Sequence, residues 1–323
     1  MTNWTEKIHC GDALAVLGTM PDKMVQCIVT SPPYYGLRDY GHAGQLGLEE
    51  TPDAYVANMV AVFREARRVL KDDGVLWLNL GDSYCANATG SVTAKSTLLG
   101  GKSTQIEAGK RPNKTGDGLK PKDLIGIPWM VAFALRADGW YLRQEIIWSK
   151  PNAMPESVKD RCGKSHEHIF LLSKSDRYFF DYKAIQEPSV RAGDMQTFGG
   201  KKARDAQKNG GDERNGHRSD ANSQWGKQVT TGETRNKRSV WTVPTAPYKH
   251  AHFAVFPPNL IRPCILAGSR EGDIVMDTFA GSGTTWQVCL QHERKFVGIE
   301  LNQGYIDLAE ERVRPYQNSL FKI

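Results

Sequence analysis

Short apolar runs alternate with helix-forming stretches along most of this 323-residue chain, and that alternation constrains the fold more than any other feature. "VQCIVT" (25–30), "VLWLNLGD" (75–82), "IVMD" (274–277) and "RKFVGIEL" (294–301) read as strands. Between them lie stretches with a helical period. The longest, "TPDAYVANMVAVFREARRVLKDDG", opens with Thr51 as a cap and Pro52 as the first helical residue. Val56, Met59, Val60, Phe63, Ala66, Val69 and Leu70 predict its buried face, and Gly74 its stop. Further helices are expected at about 13–20, in "LIGIPWMVAFALRADG" and in "NQGYIDLAEERVR". Late strands are expected in "WYLRQEIIWSKP" and "HIFLLSKSDRYFFD". The prediction is an α/β fold with a doubly wound, mainly parallel sheet covered on both faces.

Near the end of the chain, "DTFAGSGTT" places Gly281 and Gly283 directly after a strand, with a helix beginning near Thr284. Glycine lets a ligand approach the backbone, and a helix start presents unpaired amides. Nineteen residues after Gly281 comes Glu300, at the end of the next strand, where an acid can accept hydrogen bonds from ribose hydroxyls. An adenosine-type ligand and a plain tight turn both satisfy this pattern. A nucleoside triphosphate loop fits poorly, because no Lys-Ser/Thr follows the glycines, and the third glycine of a dinucleotide fingerprint is missing. In a doubly wound sheet such a loop usually follows the first strand. Here it comes last. If the two C-terminal strands are first and second, "EKIHCGD" supplies the third and "VQCIVT" the fourth. Asp12, Ser31, Asp277 and Glu300 then fall at the carboxyl ends of neighbouring strands, the edge where ligands bind.

After "VQCIVT" the chain runs "SPPYYGLRDYG". Pro32 and Pro33 fix φ, remove two amide donors and stop strand pairing. Two readings suit this segment. One is a rigid shelf of carbonyls, with the Ser31 hydroxyl and two aromatic faces able to grip a flat amino-bearing ring. The other is a turn with two surface tyrosines.

The net charge of +6 is unevenly placed. Residues 86–122 carry seven Lys/Arg against two acids, and residues 191–238 eleven against six. Each segment is therefore net +5, and the remainder of the chain sums to −4. Both are rich in Gly, Ser, Thr and Asn and read as basic loops, suited to nucleic acid or to solubility alone. No apolar run reaches membrane-spanning length and "MTNWTEKIHC" lacks a secretory core, so a cytoplasmic location without membrane partners is expected. The six cysteines show no Cys-x-x-Cys spacing, and "CGKSHEH" offers three ligand types without a fourth. Neither a disulfide framework nor a metal site is expected.

The segments "GDAL", "VTSPPY", "GVLWLNLGD", "EIIWSKPNAMPES", "HEHIFLLSKS", "SVWTVP", "HFAVFPPNLI", "DTFAGSGTT" and "FVGIELNQGY" together resemble the β-class, circularly permuted amino-DNA methyltransferases. In these enzymes the catalytic motif precedes the cofactor motif on a Rossmann-like fold. Ser31-Pro32-Pro33-Tyr34 matches the family's (Asp/Asn/Ser)-Pro-Pro-(Tyr/Phe) tetrad. One departure is Thr278, where the family usually has proline.

The resemblance implies S-adenosyl-L-methionine as cofactor. Glu300 would hold the ribose and Asp12 the adenine amino edge. The backbone from Phe279 through Gly281 to Gly283 would line the methionine part, Asp277 and Thr284 would also belong to the cofactor site, and Phe256, Pro258 and Asn259 would form the opposite wall. Residues 1–185 become the catalytic half, 186–240 a basic target-recognition segment and 241–323 the cofactor half of the same domain. The implied reaction is methyl transfer to the exocyclic amine of a flipped-out DNA base. Ser31 and the Pro32 carbonyl would accept the amine hydrogens while Tyr34 stacks on the base. Serine in the tetrad points to cytosine N4, with adenine N6 the alternative. A non-catalytic DNA-binding protein and an RNA methyltransferase are the rival classes. No cysteine follows a proline in a motif suited to carbon-five methylation. Lys201, Lys202, Arg204, Arg214, Arg218, Arg235, Lys237 and Arg238 are candidate DNA contacts, with Trp225 a candidate stacker. A homodimer and a cognate restriction endonuclease stand as further partners of the kind the resemblance allows.

Overall fold

The computed structural model describes residues 4–37, 44–85, 118–189, 233–245 and 256–317, and the backbone alone at 195–197 and 228–230. Two units divide the chain: Met1–Asp181 with Arg238–Ile323, and Tyr182–Lys237.

The larger unit is built on one eight-stranded sheet. Its strands are β1 (Lys7–Cys10), β2 (Val25–Thr30), β3 (Leu70–Leu80), β4 (Tyr141–Ser149) and β5 (His166–Ser173), then β10 (Val240–Thr242), β11 (Ile274–Asp277) and β12 (Lys295–Glu300). The short strands β6 (Glu187–Pro188), β7 (Met195–Thr197), β8 (Gln228–Thr230) and β9 (Thr234–Arg235) belong to the smaller unit, where β6 pairs with β9 and β7 with β8. The order across the large sheet is β1-β12-β11-β2-β3-β5-β4-β10. Every pairing is parallel except those of β5, which runs against both β3 and β4. Period and composition carry no direction, so this reversal was not readable from "HIFLLS".

Among the described residues six helices cover the sheet: α1 (Ala13–Thr19), α2 (Pro52–Val69), α3 (Ile127–Ala137), α4 (Pro258–Gly268), α5 (Thr284–Gln291) and α6 (Gln303–Gln317). α2 packs on α1 and α3, while α5 packs on α4 and α6. Two helical layers therefore enclose the strands, which is why all six residues of β2 are buried. The expected doubly wound, mainly parallel architecture is the one found. Among the described residues no helix is long and apolar enough to cross a membrane.

Local chemistry explains most boundaries. The Thr51 hydroxyl accepts from the Ala54 amide at 3.1 Å, and Pro52 occupies the first turn of α2. The buried face of α2 is turned slightly from the expected one: Tyr55 and Val62 are buried, while Val56 and Val60 are half-buried. Gly74 does not stop this helix. α2 ends at Val69, Leu70 pairs with Val25, and the ladder shifts register before Cys27 meets Val75. Gly74 sits in that irregularity, where a Cβ would lie 2.5 Å from Leu70 Cγ and 2.9 Å from the Gln26 carbonyl. The glycine serves a close crossing of β2 and β3.

Candidate active site

The carboxyl ends of β1, β12, β11 and β2 lie side by side, so residues from the two ends of the chain share one rim. The Gly11 amide donates to the Glu300 carbonyl at 2.9 Å, continuing the β1–β12 pairing into the loop that carries Asp12. Asp12 caps α1, its Oδ1 accepting from the Ala15 amide at 2.9 Å. The residue is otherwise exposed.

The glycine loop follows β11. Gly281 and Gly283 have φ of +49° and +76°, left-handed values that a side chain rarely adopts. The two glycines differ in surroundings. A Cβ on Gly283 would fall 2.7 Å from Ala309 Cβ on α6, so that glycine serves packing. A Cβ on Gly281 would meet no protein atom within 4 Å, which leaves room for a ligand against the backbone. Glu300 reaches the same loop: Oε2 accepts from the Gly281 amide at 2.9 Å and Oε1 from the Asn302 amide at 2.9 Å.

Asp277 departs from the expected direct contact with a ligand. It is 1% exposed. Its Oδ1 accepts from the Thr30 hydroxyl at 2.7 Å and the Phe279 amide at 3.1 Å, and its Oδ2 from the Thr285 hydroxyl at 2.6 Å. Burial pushes this carboxyl up to about 6, against the pull of those hydrogen bonds. Thr278 donates to the Thr30 hydroxyl at 3.0 Å, so the residue that replaces the family's usual proline joins the same buried set. Thr284 is likewise turned inward, with Arg312 donating to its hydroxyl. Phe279 is partly buried against the core. Pro258 and Asn259, at the start of α4, line a cavity of about 270 Å³ with Arg262, Val288, Gln291 and His292, and Phe256 is half-buried two residues earlier.

The tetrad after β2 is not a turn bearing surface tyrosines. Tyr35 is 1% exposed, and the Tyr34 hydroxyl lies in a network. Ser31 Oγ donates to Tyr34 Oη at 3.2 Å, and Tyr34 Oη donates to Glu167 Oε2 at 2.7 Å. Asn79 Nδ2 donates to both, at 2.6 Å to Tyr34 and 2.7 Å to Glu167. Lys150 pairs with the other Glu167 oxygen and lies 4.2 Å from the centre of the Trp148 ring. Burial first, then the Glu167 charge, pushes the Tyr34 phenol well above its usual value. The Tyr55 hydroxyl donates to the Pro33 carbonyl at 2.9 Å and fixes the shelf from below. Among the described residues the Pro32 carbonyl accepts no hydrogen bond, so it remains available to a substrate donor.

Asn79, Lys150 and Glu167 are the site residues that sequence reasoning missed. Asn79 did carry a signal, as the one amide in the apolar run "VLWLNL". Glu167 reaches the rim because β5 runs backwards, which brings its first residues beside the last of β3 and β4.

A family model for DNA methylases that modify N6 or N4 matches residues 25–311. The chain belongs to this family. Among other DNA methylases, the Type II methyltransferase M.Cfr9I of Citrobacter freundii is 45% identical over 313 residues, covering 97% of this chain and 89% of that one. M.SmaI of Serratia marcescens is 44% identical over 314 residues, covering 95% and 90%. Two solved structures share the fold. The cytosine-N4-specific PvuII DNA methyltransferase aligns with a TM-score of 0.60 at 16% identity, over 96% of this chain and 90% of its own. TTHA0409 of Thermus thermophilus, solved with S-adenosyl-L-methionine, aligns with a TM-score of 0.57 at 22% identity, over 97% and 95%.

Of the candidate DNA contacts of this methylase, Lys201, Lys202, Arg204, Arg214, Arg218 and Trp225 lie outside the described residues, as do residues 86–117 of the first basic loop. Arg235, in β9 of the smaller unit, is not simply exposed: its Nε donates to Glu187 Oε1 at 3.0 Å. Lys237 is half-buried and Arg238 is exposed.

Proposed function

We propose that this DNA methyltransferase transfers a methyl group from S-adenosyl-L-methionine to the N4 amine of a cytosine turned out of a DNA duplex. The observation that carries this reading is the Thr30–Asp277 hydrogen bond of 2.7 Å. It ties the residue before Ser31 to the first residue of the glycine loop, so the acceptor shelf and the cradle sit on one rim. The cofactor fits the residues present. The space beside Gly281 admits a ligand against the backbone, and the Glu300 carboxylate stands at the same loop as an acceptor of the kind that ribose hydroxyls need. In this reading Asp12 meets the adenine amino edge and the 279–283 backbone lines the methionine part. Phe256, Pro258 and Asn259 form the facing wall, while Asp277 and Thr284 act by holding the loop in shape. When bound, the cofactor supplies a methyl group activated by its sulfonium.

The chain's own residues handle the acceptor. An exocyclic amine has its lone pair delocalised into the ring and is a poor nucleophile. Ser31 Oγ and the Pro32 carbonyl accept its hydrogens and favour a pyramidal nitrogen, and the twin prolines hold those acceptors in place beforehand. Tyr34 offers a ring face to the base. Alignment of donor and acceptor accounts for most of the catalysis. The order of motifs, tetrad before glycine loop, makes the enzyme one of the permuted β class. Residues 1–185 then handle the base, 241–323 the cofactor and 186–240 the target sequence. By analogy with its Type II relatives, it shields the sites of a cognate restriction endonuclease.

The test is incubation with labelled cofactor and mixed-sequence duplex DNA, followed by digestion to nucleosides. N4-methylcytosine is expected. N6-methyladenine would move the target to adenine, and label in RNA alone would overturn the substrate class.

A further inference from the structure

Methyl transfer to an amine leaves one proton too many on the product nitrogen, and a dry pocket must give that proton a route out. The base-handling side of this rim contains one such route. Ser31 donates to Tyr34 over 3.2 Å, and Tyr34 donates to Glu167 over 2.7 Å. The donor–acceptor order can therefore run from the shelf to a carboxylate. Ser31 Oγ accepts no hydrogen bond among the described residues, so it keeps acceptor capacity for a substrate amine. A serine oxygen can take a proton only if it gives up its own, and this chain of donors lets it do so.

We infer that Ser31, Tyr34 and Glu167 form a proton relay that carries a hydrogen of the target amine to the Glu167 carboxylate. The inference rests on the methyltransferase reading above. As the nitrogen–methyl bond forms and the sulfur–methyl bond breaks, the amine proton passes to Ser31 Oγ. The Ser31 proton passes to Tyr34 Oη, and the Tyr34 proton to Glu167 Oε2. The products are a neutral methylated base, the demethylated cofactor and a protonated Glu167, which returns its proton to solvent between turnovers.

Three features favour this role over a structural one. Burying an ion pair such as Glu167–Lys150, with side chains 15% and 17% exposed, is seldom favourable compared with apolar packing. Asn79 bridges Tyr34 Oη and Glu167 Oε2 and holds the two relay atoms together. The other acid on this part of the rim, Asp82, is occupied by the backbone amides of Ser83, Gly126 and Ile127, at 2.9 to 3.1 Å from Oδ1. Tyr34, held in its phenol form, passes a proton without ionising. The charged and titratable groups facing Glu167 are Lys150 on the strand beside it, Tyr34 from the tetrad, and Lys164 and His166 just before it in sequence.

The experiment follows single-turnover methyl transfer to duplex DNA against pH, for wild type, Glu167→Gln, Tyr34→Phe and the double variant. Melting temperature and cofactor binding are measured alongside. The relay predicts a wild-type rate that falls at low pH, because a route that ends on a carboxylate is closed by acid. Each single variant should be slower by about 100-fold, a usual size for positioned proton transfer, with unchanged cofactor affinity and no low-pH fall. The double variant should be no slower than either single one, because the residues act as a unit. Wild-type rates in either variant, additive losses or a low-pH fall that survives in Tyr34→Phe would each overturn the relay. If Glu167→Gln fails to fold, the pH profile of Tyr34→Phe decides alone. Absence of DNA methylation by the wild-type protein would instead sink the methyltransferase reading itself.

Discussion

Thr30 and Asp277 are 247 residues apart in sequence and joined by a hydrogen bond of 2.7 Å. One precedes the tetrad and the other begins the glycine loop, so this bond aligns the two halves of the site. Thr30→Val keeps the shape, removes the donor to Asp277 and strands the Thr278 hydroxyl. Leaving buried polar groups unpaired costs about 1–3 kcal/mol. Urea denaturation should show a loss of that size, and calorimetric titration should show weaker cofactor binding. Thr30→Ser should restore both.

Asp277 makes stability depend on acidity. Its carboxyl is raised from 3.8 to about 6 in the folded chain, so the folded state holds the proton more tightly than the unfolded one. The associated stability is fully present below 3.8 and is lost as pH rises through about 6. Melting temperatures taken across this window should therefore contain a downward contribution with rising pH. Asp277→Asn should lack that contribution, whatever its overall melting temperature.

Gly81 lies under the Tyr34 ring. A Cβ there would come within 2.5 Å of Tyr34 Cε2 and 2.8 Å of Cδ2. With the phenol oxygen held by Asn79 and Glu167, the ring cannot yield without displacing the tetrad. Gly81→Ala should slow methyl transfer about 100-fold, the usual result of an ångström-scale misplacement, with cofactor affinity kept. Gly18→Ala is the control. No atom stands within 4 Å of its Cβ, and it should raise stability by about 0.5–1 kcal/mol, as alanine does in place of helical glycine.

Ser31→Ala removes a proposed acceptor for the amine hydrogens and leaves Tyr34 bonded to Asn79 and Glu167. Single-turnover rates should fall by about 100- to 1,000-fold, as when one preorganised polar contact to a reacting group is lost. The dissociation constant for cofactor should change less than about threefold, since the scale of the loss belongs to positioning of the acceptor.

What the chain reveals before folding depends on what each signal encodes. Thr51 and Pro52 mark the start of α2 because capping is a property of neighbours in sequence. The glycine pair and Glu300 were legible because strand, loop and acid recur at a fixed spacing. Direction within the sheet was not, since β5 reads the same whichever way it lies. Without that reversal, Glu167 looks like one polar residue among the histidines of "SHEHIF", and its link to Lys150 and Tyr34 has no sequence spacing. Asp277 misled for a different reason. An acid ending an apolar strand looks ready for a ligand, but its three donors, Thr30, Phe279 and Thr285, enclose it only in space.

The pairing of β1 with β12 also sets a schedule for synthesis. The first strand to leave the ribosome stands at the sheet edge with β12 beside it, and β2 lies against β11. Neither neighbour exists until long after β3, the other partner of β2, has been made. Nascent chains can pair β2 with β3 early but must leave β1 and the β11 side of β2 open for most of translation, exposed to chaperones and prone to aggregate. Methylating activity should emerge only once β11 and β12 have been made and have joined the sheet.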